Sequence, residues 1–328
     1  MKHDLPTITA ESRKAAAVAA ARTVEDEATG RNVTTTRTDK SSDVSSIILP
    51  RNNKEYGTKE YWEHRFSTEE SFEWLLSYPQ IKHQLEPILL QYCRGPSITE
   101  QQQVEQETVD VTYTYDKSLV RILVVGCGNA PFSCDLYDDG YTNIMNIDYS
   151  PVVIQNMQEW HSKTRPQMQW VVMDMTRMDA VPDAAFHVVI DKAAMDAIMT
   201  HEQDVWNPNP TVIRNAYQMC GHISRIMPPD GTFVQISLTQ PHFRNKYLLH
   251  LHDIADLSPS SDETDNDTTT LTMAVSGPTS TAANNTYCTQ FGWTVNSEVA
   301  GRSDDTISTG MFGHYLYIMR KGGIEIEI

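Results

Sequence analysis

The stretch from Val120 to Tyr149 constrains this chain more than any other. It reads Val-Arg-Ile-Leu-Val-Val-Gly-Cys-Gly-Asn-Ala-Pro-Phe, passes through a short acidic segment and closes on Asn-Ile-Met-Asn-Ile-Asp-Tyr. An apolar, β-branched run too short for a helix, broken by Gly126-Cys127-Gly128, predicts a buried parallel strand that ends in a tight glycine turn. Glycines there let the main chain turn sharply and pass close to a ligand, and Pro131 suits the first turn of a following helix. A second apolar run, Thr142 to Ile147, ends at Asp148, about 20 residues after the first glycine, where a carboxylate can accept both hydroxyls of a ribose. Strand, glycine loop, helix, strand and acid make one βαβ unit suited to a nucleoside.

Two cofactor classes use such a unit, and the glycines alone leave both open. A dinucleotide site wants a small residue at the last position of G-x-G-x-x-G, and here that position is Pro131. S-adenosylmethionine carries no phosphate and asks only for G-x-G followed by a small residue, which Ala130 supplies.

Downstream, Ser150 predicts a capped helix to about Lys163, with Val153, Met157 and Trp160 on one face. Gln169 to Met173 reads as a third strand ending in Asp174-Met175, and Phe186 to Ile190 as a fourth ending in Asp191-Lys192. Thr211 to Met227 has helical spacing, with Val212, Ala216, Met219, Ile223 and Met227 as core positions, and a Pro-Pro-Asp-Gly turn leads to a fifth strand, Thr232 to Ser237. Phe291 to Trp293 and Gly313 to Gly323 carry the aromatic and branched side chains of a hairpin at the sheet edge. This alternation specifies an α/β fold with a doubly wound sheet, whose ligand lies beyond the carboxyl ends of the strands. Gly126, Asp148, Asp174 and Asp191-Lys192 all fall at such ends.

Residues 1–50 have few large apolar side chains, so a disordered N-terminal tail is expected ahead of a domain spanning 51–328. Two low-complexity insertions are expected within it, a glutamine-rich acidic one at about 96–117 and a Ser, Thr, Asp and Asn-rich one at 253–286. Between the tail and the first insertion, Tyr61, Trp62, Arg65 and Phe66 share a helical face, and Phe72 and Trp74 follow. Such a face either packs on the core or forms an aromatic lid over a cationic ligand, since a sulfonium is attracted to ring faces. Pro79 to Tyr92 reads as a further helix leading to the sheet.

Charge and cysteines narrow the partners. Of a net charge of −17, the two insertions carry −4 and −6, which leaves a moderately acidic body that disfavours nucleic acid phosphates. No run approaches the length of a membrane span and no signal-peptide core is present, so a soluble, cytoplasmic protein is expected. Five cysteines without a C-x-x-C pair, and histidines scattered along the chain, argue against a disulfide framework or a metal site.

These residues resemble the class I, seven-β-strand S-adenosylmethionine-dependent methyltransferases, and within them the group of the elongation factor 1-alpha lysine methyltransferases 4 and methyltransferase-like protein 13. Tyr61 to Phe66, Leu123 to Asn129, Asn146 to Ser150, Met173 to Thr176, Val189 to Lys192, Pro241 to Arg244 and Gly313 to Gly323 carry the resemblance. It implies a Rossmann-like sheet of seven strands with helices on both faces and an antiparallel C-terminal edge hairpin. It implies further that S-adenosyl-L-methionine is bound with Gly126 against its methionine moiety, Asp148 on the ribose, Tyr149 beside the adenine, and Asp174 and Met175 on the adenine edge. Trp62, Phe66, Phe72 and Lys192 would close the methionine end, although the group tends to carry tyrosines where Phe66 and Phe72 stand. After Lys192 the family commonly has Gly-Thr-Leu-Asp-Ala, whereas this chain has Ala193-Ala194-Met195-Asp196-Ala197. The implied acceptor is a lysine of a protein partner such as elongation factor 1-alpha; a small-molecule acceptor and a catalytically silent interaction module are the alternatives. No residue stands out as the proton acceptor: Asp191 and Asp196 are candidates by position only, and an Asp-x-x-Tyr match at Asp138 to Tyr141 lies too early in the chain to count.

Overall fold

The structure, a computed structural model, describes residues 49–97, 112–201, 209–251, 290–301 and 313–322. In chain order, a 3-10 turn at Asn53–Gly57 precedes α1 (Lys59–Phe66) and α2 (Tyr78–Leu90), and β1 (Arg94–Ser97) and β2 (Thr112–Tyr115) follow. Then come β3 (Ile122–Val125), α3 (Phe132–Asp138), β4 (Ile144–Asp148), α4 (Pro151–His161), β5 (Gln169–Val172), β6 (Val188–Lys192) and α5 (Ala194–Met199). The chain closes with α6 (Pro210–Ile226), β7 (Thr232–Ser237), α7 (Pro241–Leu248), β8 (Trp293–Val299) and β9 (Tyr315–Lys321).

Seven strands form one sheet in the order β5-β4-β3-β6-β7-β9-β8. β3 to β7 are parallel, and β9 pairs antiparallel with both β7 and β8, so the C-terminal hairpin extends one edge as its aromatic and branched residues predict. Pleating separates two cores: Ile122 and Val124 face α2, α3 and α4, while Leu123 and Val125 face α6 and α7. With both faces covered, β3 is buried at every position, which explains why it reads as an unbroken apolar run. The expected core positions Val212, Ala216, Met219, Ile223 and Met227 are all buried.

Two expectations change. Trp160 does not share the buried face of α4: it is 40% exposed, because Ile154 joins Val153 and Met157 and shifts the buried stripe, and His161 stacks on Trp170 in its place. The expected insertion at 96–117 is not structureless at its ends, since Arg94–Ser97 pairs antiparallel with Thr112–Tyr115. Alternating Thr and Tyr is a strand signal that its polar surroundings hid. The centre of that segment, the tail up to 48 and the whole 253–286 insertion lie outside the described residues.

The sheet reverses direction of winding between β3 and β6, with β4 on one side of β3 and β6 on the other. A crevice opens at such a switch point, outside the carboxyl ends of the strands.

Candidate active site

At the end of β3 the backbone turns through Gly126 (φ 56°) and Gly128 (φ 52°), the left-handed region that glycine enters without steric cost. A Cβ on Gly126 would also stand 2.4 Å from the Ala194 Cβ, so no side chain fits there. Asp148, at the end of β4, ties the loop: its Oδ2 accepts the Gly128 amide at 3.1 Å and its Oδ1 accepts the Ser150 amide at 2.9 Å. The Ser150 side chain makes no capping bond, and the Asp148 carboxylate serves that turn instead. Burial pushes the Asp148 carboxyl up to about 6, against the opposing pull of the two amides and Lys59. Each oxygen keeps lone-pair capacity for one more donor.

A cavity of about 940 Å³ spreads over this loop. Trp62, Phe66, Gly126, Asp148, Tyr149, Asp174, Met175 and Lys192 all line it, from elements as far apart as α1 and β6. Asp174 is exposed and closes an Asx turn on Thr176, 2.8 Å from both its amide and its hydroxyl. The Lys59 ammonium lies 5.9 Å from the centre of the Tyr149 ring.

Phe72 is the exception and does not line the cavity. Its ring packs edge-on against Trp74, 4.8 Å between centres, and the Arg65 guanidinium stands 4.6 Å from it. Arg65 organises the whole aromatic segment. Only 1% exposed, it donates to Glu69 through two nitrogens at 2.9 and 2.7 Å and to the Tyr61 hydroxyl at 3.0 Å, and it also faces Trp74 at 4.9 Å and Trp62 at 5.7 Å. The Asn129 side chain in the glycine loop donates to Glu69 in turn, at 3.1 Å to its carbonyl and 3.2 Å to its carboxylate. The aromatic helix is thereby pinned to the loop. A single Arg among aromatics with Glu four residues on is the signal that could have revealed this pair. The aromatic face divides: Tyr61 and Phe66 are buried, whereas Trp62 is half-buried and stacked on Phe66, and both Trp62 and Phe66 line the cavity.

On the opposite wall, Lys192 donates to Glu73 Oε1 at 2.5 Å and to the Trp74 carbonyl at 2.7 Å, so its charge is met before any ligand enters. Ala193 follows at φ 68°, a left-handed position where the resembling family commonly has glycine. Asp191 is fully buried and does not line the cavity. It accepts from the Ala194 and Met195 amides and from Gln235 at 2.7 Å, holding α5 against β7, and burial pushes its carboxyl up to about 6. Position therefore removes Asp191 as a proton acceptor and leaves Asp196 on the cavity. Asp138 and Tyr141 are absent from that wall; Asp138 pairs with Arg165 at 2.5 Å. Among the described residues no group of His, Cys, Asp or Glu could hold a metal ion, and no helix is long and apolar enough to cross a membrane.

A family model described as a methyltransferase domain matches residues 122–231. The chain is 35% identical over 205 residues to the eEF1A lysine and N-terminal methyltransferase of Mus musculus, covering 62% of this chain and 24% of that protein, so it spans about a quarter of the length of such relatives. It is 30% identical over 207 residues to the EEF1A lysine methyltransferase 4 of Mus musculus, covering 62% of this chain and 70% of that protein. Among solved structures, the N-methyltransferase NodS from Bradyrhizobium japonicum WM9, in complex with S-adenosyl-l-homocysteine, aligns with 62% of this chain and 78% of its own, at 13% identity and a TM-score of 0.35.

Proposed function

We propose, from the premise that this chain belongs to the class I S-adenosylmethionine-dependent methyltransferases, that it is a protein-lysine N-methyltransferase acting on elongation factor 1-alpha. The observation that carries the cofactor assignment is the glycine loop clasped by Asp148 beneath an aromatic wall. The residues fit that cofactor. Gly126 has no room for a side chain, Asp148 has an unused lone pair on each oxygen for a ribose hydroxyl, and no third glycine or alanine marks a pyrophosphate site. Support for a lysine acceptor comes from the names and 30–35% identity of the relatives.

Bound there, S-adenosylmethionine supplies a methyl group activated by a positively charged sulfur. The protein's part would be to bind and orient donor and acceptor and to exclude water. Asp148 would accept from the ribose, Tyr149 would flank the adenine, and Asp174 and Met175 would take its edge. Gly126 would bring backbone against the methionine moiety. Trp62 and Phe66, which line the cavity, would cover the sulfonium with ring faces, and Lys192, held by Glu73, would close the same end. Phe72 acts from behind, through Trp74. At about 940 Å³ the cavity lies near the upper end of the range for one small ligand, about 300–1,000 Å³, which leaves space for an acceptor side chain. A cytoplasmic location goes with that protein substrate.

Incubation with methyl-labelled cofactor and fractionated cell lysate tests the reading. Labelled elongation factor 1-alpha containing methyl-lysine is the expected result. Label confined to small molecules would replace it with a small-molecule methyltransferase, and no transfer would leave a cofactor-binding interaction module.

A further inference from the structure

The cavity has a further carboxylate besides Asp148 and Asp174, across the glycine loop from Asp148. Asp196 lies in the first turn of α5, two residues beyond the Ala194 that touches the Gly126 turn, and its side chain is 19% exposed on the cavity wall. Its Oδ1 accepts from the Ser237 hydroxyl at 2.7 Å, the Thr239 hydroxyl at 3.4 Å and the Arg244 guanidinium. Among the described residues its Oδ2 accepts only the Leu238 amide, at 3.1 Å. One oxygen is thus saturated, and the other keeps a lone pair for a ligand.

Arg244 explains why this carboxylate stays in place. It is fully buried, Nη2 carries its bonds to Asp196, Ser237 and Thr239, and Nε and Nη1 have no hydrogen-bond partner among the described residues. A buried guanidinium is costly without an acidic partner, and Asp196 has its orientation fixed from four directions, by Ser237, Thr239, Leu238 and Arg244. Beside it the wall is formed by Ala197, Ile198, Met199 and Leu238, the last 47% exposed. Apolar sides with one anchored acceptor match a primary amine on an aliphatic stem.

We propose that Asp196, set by Arg244, is the positioning residue for the acceptor amine: Oδ2 accepts an amine N–H while Ala197, Ile198, Met199 and Leu238 cover the methylene stem. This deepens the methyltransferase reading above and rests on it. Because the paired carboxylate offers little net charge, it acts by accepting an N–H, which the ammonium and the amine forms of the acceptor both offer. The acceptor ammonium loses one proton to solvent before attack, and the amine so held keeps the freed lone pair turned away from the carboxylate; taking up the methyl group makes it an ammonium again.

Asp196→Asn alone would strand the buried guanidinium, so the informative variant is Asp196→Asn with Arg244→Met, which removes both charges and keeps an apolar side chain of similar length. The probe is n-butylammonium, titrated by NMR into protein saturated with S-adenosylhomocysteine. The unmodified protein should bind it, with shifts at the Ala197 and Leu238 methyl groups, and the double variant should bind it at least tenfold more weakly while its S-adenosylhomocysteine affinity is unchanged. Equal binding by both proteins, no binding by the unmodified protein, or shifts confined to other methyl groups would overturn the proposal. The methyl map needs no variant, so it decides even where the double variant fails to fold. No protein substrate enters this experiment, so its failure is separate from a failure of the lysate labelling.

Discussion

Replacing Arg65 by alanine should damage both the fold and the cofactor site. The guanidinium makes two bonds to Glu69 and one to Tyr61, and it faces Phe72 and Trp74 at 4.6 and 4.9 Å. Truncation leaves Glu69, 14% exposed, without its cation, and removing one partner of a buried pair costs about 3–5 kcal/mol. Asn129 still donates to Glu69, which places the cost near the lower end, about 3 kcal/mol. For a folded body of this size 1 kcal/mol moves Tm by about 2–4 °C, so the midpoint should fall by about 6–12 °C. Arg65→Lys should recover only part of this, because an ammonium has neither the bidentate fork nor the flat face that stacks on rings. As Glu69 also holds Asn129 in the glycine loop, the alanine variant should bind S-adenosylhomocysteine more weakly. Thermal melting, calorimetric titration and a double-mutant cycle with Glu69→Gln measure all three effects, and the cycle should give a coupling of about 1–3 kcal/mol. Melting within about 1 °C of the unmodified protein, or strict additivity with Glu69→Gln, would refute the reasoning.

Trp62→Ala should weaken binding of the charged donor more than that of its neutral product, by about 0.5–2 kcal/mol in the ratio of dissociation constants, because only a cation gains from the ring face. An unchanged ratio with a large drop in melting temperature would make Trp62 a packing residue. Burial raises the Asp148 carboxyl from 3.8 to about 6, so the carboxylate proposed to accept ribose hydroxyls is lost as pH falls through about 6. Titrations should show S-adenosylhomocysteine binding about tenfold weaker at pH 5 than at pH 7.5, with Asp148→Asn flat across that range. The unliganded fold should move the other way. A carboxyl raised by burial contributes stability that is present below 3.8 and lost as pH rises through about 6, so Asp148 and Asp191 should make melting higher near pH 4.5 than near pH 7. Deleting residues 1–50 or shortening 258–284 should leave melting and cofactor affinity nearly intact, because both segments lack core-forming side chains; loss of a cooperative transition would refute the domain boundaries.

Much of the architecture was legible in the chain because parallel strands buried on both faces read as short apolar runs with sharp ends. Thr232–Ser237 is read at its exact limits, and Gly126, Asp148, Asp174 and Lys192, picked out at strand carboxyl ends, line one cavity. The contacts that were not legible join residues far apart in sequence. Glu69 meets Asn129, Glu73 meets Lys192 and Asp196 meets Arg244, and no local pattern encodes such pairs. Phe72 follows the aromatic helix in sequence, yet its ring is taken up by Arg65 and Trp74. Trp160 sits at helical spacing from Met157, but a stripe only one residue wider changes which side chain of the last turn reaches the sheet.

Calorimetric titration of the unmodified protein and Asp148→Ala with S-adenosylmethionine, S-adenosylhomocysteine and NAD tests the cofactor assignment, on which every other step depends. Both adenosyl ligands should bind at one site, and the substitution should weaken each by about 1–3 kcal/mol through loss of charge-assisted hydrogen bonds. Tight binding of NAD with no response to either adenosyl ligand would contradict the account.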